Sequence, residues 1–269
     1  MKLFVPDLNY SNALRFCSEL RDVRLGEGEI CEVDFSSVGN CDPFPMLIVS
    51  SELRRFRKYY NDNAFHAFHC NNNYANYMKF YKACGIGSGE SVEEDRHKSG
   101  YNTITKLSVK ELKNEGIQNN SLIQEIIDDK ARTMAGIVAQ GNKAFQKWLS
   151  FVLREIIRNI PEHSEADAIW YCAQHWPKYD LVELAILDEG IGIKESLVRG
   201  GKIDATATDF EAIKLSLEPG VSGAGTHIFD DDWKNSGFGL YMVSQMCAEL
   251  DASFILTSGS GAVLIEKKE

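Results

Sequence analysis

Apolar positions in the first 115 residues fall in short runs that alternate with helix-spaced segments. Leu3 to Val5 and residues 30–35, 64–69 and 102–109 read as strands, with polar residues interleaved in the second and third. Ser11 is placed to cap a helix reaching Leu20. Pro43 and Pro45 introduce a helix that carries Met46, Val49 or Ser50, Leu53 and Phe56 at a spacing near 3.6. Residues 71–73 can cap a helix over 74–84, with Gly85 just beyond its end. Strand and helix alternating at these lengths imply a small α/β domain. Residues 90–100 read as a polar loop. Residues 114–121, interrupted by Gly116, Asn119 and Asn120, read as a domain boundary.

The second half opens with a helical pattern over residues 122–139, expected to be a connecting helix. A strongly patterned helix follows over 143–159, with Phe145, Trp148, Leu149, Val152, Ile156 and Ile160 in one apolar stripe. Pro161 then interrupts the ladder. Residues 181–187 predict a half-buried strand ending at Asp188. Thr208 or Asp209 starts a short helix through Leu217. Residues 219–225 are rich in glycine and residues 230–232 are acidic, so the span from Lys194 to Lys234 reads as a mobile lid. Leu240, Val243, Cys247 and Leu250 mark a helix packed on the core. Residues 254–257 and 262–265 form two strands joined by a hairpin at 258–261.

Composition bounds the class. The 269 residues suffice for two domains, and 44% hydrophobic with 25% charged residues is ordinary for a soluble chain. No apolar run reaches the roughly 18–20 residues of a membrane span, and the first residues lack a signal-peptide pattern. The seven cysteines are scattered without a C-x-x-C pair, so neither a zinc site nor a disulfide framework is indicated and a cytoplasmic location is expected. A net charge of −10 argues against broad nucleic-acid binding.

Three short motifs carry chemistry. Glu155 and Asn159 are four apart on the 143–159 helix and continue the line of Trp148 and Val152, so both should point inward. Buried polar groups need partners. A metal–phosphate group would supply them, Asn159 offering an oxygen to Mg²⁺ and Glu155 orienting and deprotonating a water. A satisfied Glu–Asn pair at a domain interface is the structural alternative. Asp188 ends a strand, and Gly190 and Gly192 after it let a backbone approach a ligand. Its carboxylate accepts hydrogen bonds only, so it suits the amine of adenine and repels the carbonyl of guanine. Gly237-Phe238-Gly239-Leu240 opens the next helix, whose free N–H groups and dipole can hold phosphates. Lys234 and Ser236 lie close enough in sequence to assist. His163, just after the helix, either touches the site or caps the helix end.

Taken together the set resembles the GHKL superfamily, the Bergerat-fold or histidine-kinase-like ATPases, over residues 122–269. Glu155-x-x-x-Asn159 corresponds to the N box, Asp188-x-Gly190-x-Gly192 to the G1 box and Gly237-x-Gly239 to the G2 box. The resemblance implies an α+β two-layer domain that binds ATP with Mg²⁺. It makes Asp188 the adenine anchor, Asn159 the metal ligand, Glu155 the general base and the span from Gly192 to Gly237 a lid. Where many members carry a Thr after the glycine of the closing strand, this chain has Ala262, and Thr257 is the substitute hydroxyl. Only four residues follow Ile265, so no transducer domain with a phosphate-reaching lysine is expected.

Residues 33–45 resemble the core segment of STAS domains, in which a strand leads to an Asp followed by a phosphorylatable Ser or Thr and a helix. Here Asp42 precedes Pro43, which has no hydroxyl, although Ser36 and Ser37 lie upstream. The basic run on the following helix, Arg54, Arg55, Arg57 and Lys58, reads as a solvated face. The expected architecture is therefore a STAS-like α/β domain over 1–115, a connecting helix over 116–142 and a GHKL ATP-binding domain over 143–269.

The expected function is slow Mg²⁺-dependent ATP hydrolysis in which lid closure regulates a protein partner. A second copy of the chain is a further partner this reading allows. The alternatives are an anti-sigma-like serine/threonine kinase and a nucleotide-gated interaction module without turnover. None of the six histidines lies on the 122–139 helix, so a sensor histidine kinase is disfavoured.

Overall fold

The computed structural model describes residues 1–87, 101–160, 164–221, 239–249 and 252–266. The fold is mixed α/β. Two compact units divide the chain. One comprises Met1–Lys106, Gly136–Gly141 and Trp170–Leu187. The other comprises Leu107–Ala135, Asn142–Ile169 and Asp188–Glu269.

In the first unit, β1 (Lys2–Phe4), β2 (Cys31–Asp34) and β3 (Phe65–Phe68) form a parallel sheet in that order, with Leu3 opposite Val33 and Val33 opposite Ala67. The crossovers are α1 (Tyr10–Asp22) and α2 (Pro43–Tyr60). Each buries one stripe: Ala13, Phe16, Cys17 and Leu20 on α1, and Met46, Val49, Leu53 and Phe56 on α2. The cap of α1 is Asn9, whose side chain accepts from Asn12 N at 3.0 Å, rather than Ser11. The helix expected over 74–84 is two short ones, α3 (Asn73–Tyr77) and α4 (Phe80–Ala83). They are broken at Lys79, whose φ of 62° no α-helix accommodates.

The basic run of α2 is only partly a solvated face: Arg55 and Lys58 are exposed, but the three arginines are engaged. Arg55 and Arg21 both grip the buried Glu52, and Arg57 pairs with Asp62. Arg54 lies 3.9 Å from the Trp170 ring and donates to Ala83 O. Asp34, at the end of β2, is buried too. Lys2 Nζ, the Ser36 N–H and His69 Nδ1 together hold its carboxyl far below the usual carboxylate range.

A second sheet has the order β4 (Tyr101–Ser108), β5 (Ala168–Trp176), β6 (Leu181–Asp188). The periodic segments expected to be interrupted over 114–121 do part there, at the left-handed Asn120. Residues 114–119 complete α5 (Val109–Asn119), and Gly116 O, inside that helix, accepts Ser121 N in its C-terminal cap. The helix α6 (Ile123–Ala139) follows.

The second unit is built on α7 (Lys143–Asn159), which has the bounds expected of it and is capped by Asn142. It also holds α8 (Gly192–Arg199), α9 (Asp209–Ser216), α10 (Gly239–Glu249) and the antiparallel hairpin of β7 (Phe254–Ser258) and β8 (Gly261–Ile265). Val152 of α7 packs with Val243 and Cys247 of α10, joined by the partly buried Trp148, Phe151, Ile156 and Phe254.

Candidate functional site

The first helix–helix contact to matter is at the top of that cluster. Gly239, Val243 and Cys247 are four apart, so they share one face of α10. Trp148, Val152, Glu155 and Asn159 share one face of α7 in the same way. Apolar residues fill most of this seam, and the polar pair meets the glycine. A Cβ placed on Gly239 would lie 3.0 Å from Glu155 Oε2 and 3.7 Å from Asn159 Nδ2. The inward phase expected of Glu155 is therefore observed, and its side chain is only 14% exposed. Its Oε1 accepts from Arg154 Nε at 3.0 Å and Nη2 at 2.9 Å, and Arg154 also lies 3.7 Å from Asp128 of α6.

The second contact fixes the loop after β6. Gly190 lies against the Ser164 backbone so closely that a Cβ there would sit inside the shell of Ser164 O and 2.7 Å from Ser164 Cβ. Ser164 O accepts Ile191 N at 2.8 Å, while Ser164 Oγ donates to Ile160 O at 2.8 Å. Ser164 thus ties the C-terminal end of α7 to the Asp188–Gly192 turn. Asp188 Oδ1 accepts Gly190 N at 2.9 Å, an Asx-type turn. Among the described residues Oδ2 makes no hydrogen bond or ion pair with the protein.

A third contact joins that turn to the hairpin. Gly192 has a φ of 78°, a left-handed conformation that glycine adopts without a Cβ penalty. The next N–H, of Ile193, donates to Ser258 Oγ at 2.9 Å. Thr257 lies directly opposite Ala262. Facing residues of an antiparallel pair share a face, and neighbours along a strand alternate. Thr257 and Ala262 therefore occupy one face, and Ser258, with the hydroxyl that reaches the turn, the other.

Part of the span expected to be a mobile lid is folded and hydrogen-bonded to the hairpin. Thr208 and Glu211 form a capping box at the start of α9. Asp209 Oδ2 accepts both the N–H and the hydroxyl of Ser260, each at 2.9 Å, so α9 is clasped to the hairpin turn. Residues 222–238 lie outside the described residues. That range holds four residues considered for the site, Lys234, Ser236, Gly237 and Phe238, and His163 is likewise outside them. Leu240 is half-buried in the first turn of α10.

Glu155, Asn159 and Gly239 are thus brought together. Asp188, Gly190 and Gly192 lie in the same unit, in a turn anchored separately by Ser164 and Ser258. Arg154, Ser164 and Ser258 were missed by motif reading. A hydroxyl three positions past Pro161 and another at the hairpin are the only signal of them in the sequence. Among the described residues no group of three or more His, Cys, Asp or Glu is placed to hold a metal ion. No helix among them is long and apolar enough to cross a membrane. Comparisons with protein-family models, with curated proteins and with solved structures find no match.

Proposed function

We propose that the second unit binds ATP in the GHKL manner and hydrolyses it slowly, and that the nucleotide state controls contact with a protein partner. The observation that carries this reading is the meeting of Gly239 with Glu155 and Asn159. Two motifs some 80 residues apart converge on one spot, at the start of a helix of 11 residues. A glycine there lets the start of α10 come close to the carboxylate where a side chain would displace it, and the helix start favours an anion.

In this reading Asp188 Oδ2 accepts from the exocyclic amine of adenine while Oδ1 keeps its bond to Gly190. Glu155 Oε2 accepts a proton from water. Asn159 contributes one neutral oxygen to Mg²⁺, which would arrive with the nucleotide and neutralise charge on its phosphates. A single carboxamide fits an ion that keeps several waters and binds substrate phosphates, better than it fits a resident metal needing a protein cage.

The first unit supports a STAS-like reading through its parallel β1-β2-β3 order and through α2 opening at Asp42 and Pro43. In place of a phosphorylatable hydroxyl, the start of α2 donates its Phe44 N–H to Glu183 Oε1 at 2.9 Å. A buried carboxyl group already caps the start of that helix.

Incubation of the purified chain with γ-labelled ATP and Mg²⁺ tests the function. Free phosphate that disappears in Glu155→Ala supports hydrolysis. Labelled protein would instead identify a kinase, and nucleotide binding with neither product a gated binder. Asp188→Asn is expected to weaken ATP about tenfold or more, since it removes the charge-assisted acceptor. Unchanged affinity would remove Asp188 from the site.

A further inference from the structure

Arg154 has no place in the three motifs, yet it is the residue in contact with the proposed base. Neighbouring residues on a helix point about 100° apart and do not normally meet. Here the Arg154 side chain folds across, and two of its N–H groups converge on one oxygen of Glu155, Nε at 3.0 Å and Nη2 at 2.9 Å. The guanidinium lies over Phe151, its carbon 5.0 Å from the ring centroid. Asp128 offers a second carboxylate at 3.7 Å, so the guanidinium is held by groups of α6 and α7.

The electrostatics of this arrangement are unusual. The Glu155 carboxylate lies between a guanidinium on Oε1 and the positive end of α10 on the Oε2 side. Two positive features around one carboxylate describe an anion site filled by the protein's own anion. A nucleotide phosphate arriving at the start of α10 carries more charge than a carboxylate and offers three oxygens to the same planar fork.

We propose that Arg154 reads the terminal phosphate of the nucleotide, exchanging its hold on Glu155 for that anion. This inference rests on the ATP reading above and assigns the distinction between triphosphate and diphosphate. In the empty site Arg154 restrains the base. In the triphosphate complex Arg154 moves to the γ-phosphate, and Glu155 Oε1 is released to accept a hydrogen bond from water. A diphosphate, one group shorter, leaves the Arg154–Glu155 pair intact, so the enzyme distinguishes substrate from product through one side chain.

The test is the Mg²⁺-dependent affinity of a non-hydrolysable ATP analogue and of ADP, by titration calorimetry, for the wild type, Arg154→Ala, Arg154→Lys and Glu155→Gln. Arg154→Ala is expected to weaken the analogue about 10- to 100-fold while changing ADP by less than about twofold. Arg154→Lys should restore part of the loss, because charge returns without the fork. Glu155→Gln should tighten the analogue, since the guanidinium no longer leaves a charged partner. Equal weakening of both nucleotides, or of neither, would overturn the role of Arg154 while leaving ATP binding intact. Failure of the wild type to bind either nucleotide would overturn the ATP reading and this role together. The lysine variant guards against misfolding: with normal circular dichroism and wild-type discrimination between the two nucleotides, it too would overturn the proposal if the alanine variant behaved alike.

Discussion

Gly239 stands against Glu155, with room between the α10 backbone and the carboxylate for no side chain. A Cβ there would lie 3.0 Å from Oε2 and 3.5 Å from the Glu155 Cβ. The closest atom is the free end of a flexible side chain, so Gly239→Ala displaces the carboxylate and not the backbone. Alanine is also the better helix former, by about 0.5–1 kcal/mol. The variant is therefore expected to keep or slightly raise its thermal midpoint while turnover falls about 10- to 100-fold, as misplacement of a reacting group by about an ångström does. Phosphate release and a melting curve on the same preparation check both halves. A variant that melts early would mean that the glycine serves packing alone.

Gly190 is the opposite case. The atoms a Cβ would strike are the backbone oxygen and Cβ of Ser164, which the Ile160 and Ile191 hydrogen bonds hold in place. Nothing flexible yields. Gly190→Ala should destabilise the second unit by about 3 kcal/mol, the scale of an overpacked contact. A drop of several degrees in thermal midpoint is the measurable result, and an unchanged midpoint would show that the turn leaves Ser164 freely.

The hairpin separates two hydroxyls that look equivalent in sequence. Ser258 Oγ accepts the Ile193 N–H at the left-handed Gly192, and Thr257 occupies the other face with Ala262. Ser258→Ala leaves a backbone donor without its acceptor, which costs about 1–2 kcal/mol, and frees the turn that carries Asp188. It should weaken ATP binding more than Thr257→Val, which keeps the β-branched shape and loses only a hydroxyl. The reverse ranking, measured by calorimetry, would return the base contact to Thr257.

Local pattern carried most of the element order because each element was specified by its own residues. The stripe from Phe145 to Ile160, with Asn142 capping its start, matches the observed bounds of α7. The same stripe exposed Glu155 and Asn159 as polar residues on an apolar face. What local pattern does not carry is partner choice. Arg54, Arg55 and Arg57 read as a solvated face, yet Trp170, Glu52 and Asp62 absorb them, and two of those three partners lie too few residues away to be told from ordinary surface charges. The break at Lys79 is invisible to helical periodicity, because a left-handed lysine is imposed by packing of Phe80 and Tyr81 against Phe35 and not by its own preference. Ser164 and Ser258 became site residues only when folding brought them onto the Asp188–Gly192 turn.

The start of α2 gives the last prediction. Glu183 of β6 reaches the Phe44 N–H at 2.9 Å, and burial pushes its carboxyl up to about 7, against 4.5 for an ordinary glutamate. Asp42, in the cap position without a side-chain cap bond, is raised by burial as well and adds to the effect. The other groups around this point, the Tyr74 phenol and the Cys41 and Cys172 thiols, are pushed up and stay neutral near pH 7. Between pH 4.5 and 7 the folded chain holds the Glu183 proton that the unfolded chain has released. The unfolded state then binds fewer protons, so stability falls as pH rises through that window and levels off above about 7. A shift of this size corresponds to on the order of 3 kcal/mol. Glu183→Gln keeps an oxygen for Phe44 and removes the titration. Urea denaturation at pH 5.5, 6.5 and 8 should show the wild type losing stability across the series and the variant nearly level, the variant being the more stable of the two at pH 8. Wild-type stability that is flat or rises over the same range would mean that Glu183 enters the fold ionised, as a fixed negative charge on the helix start.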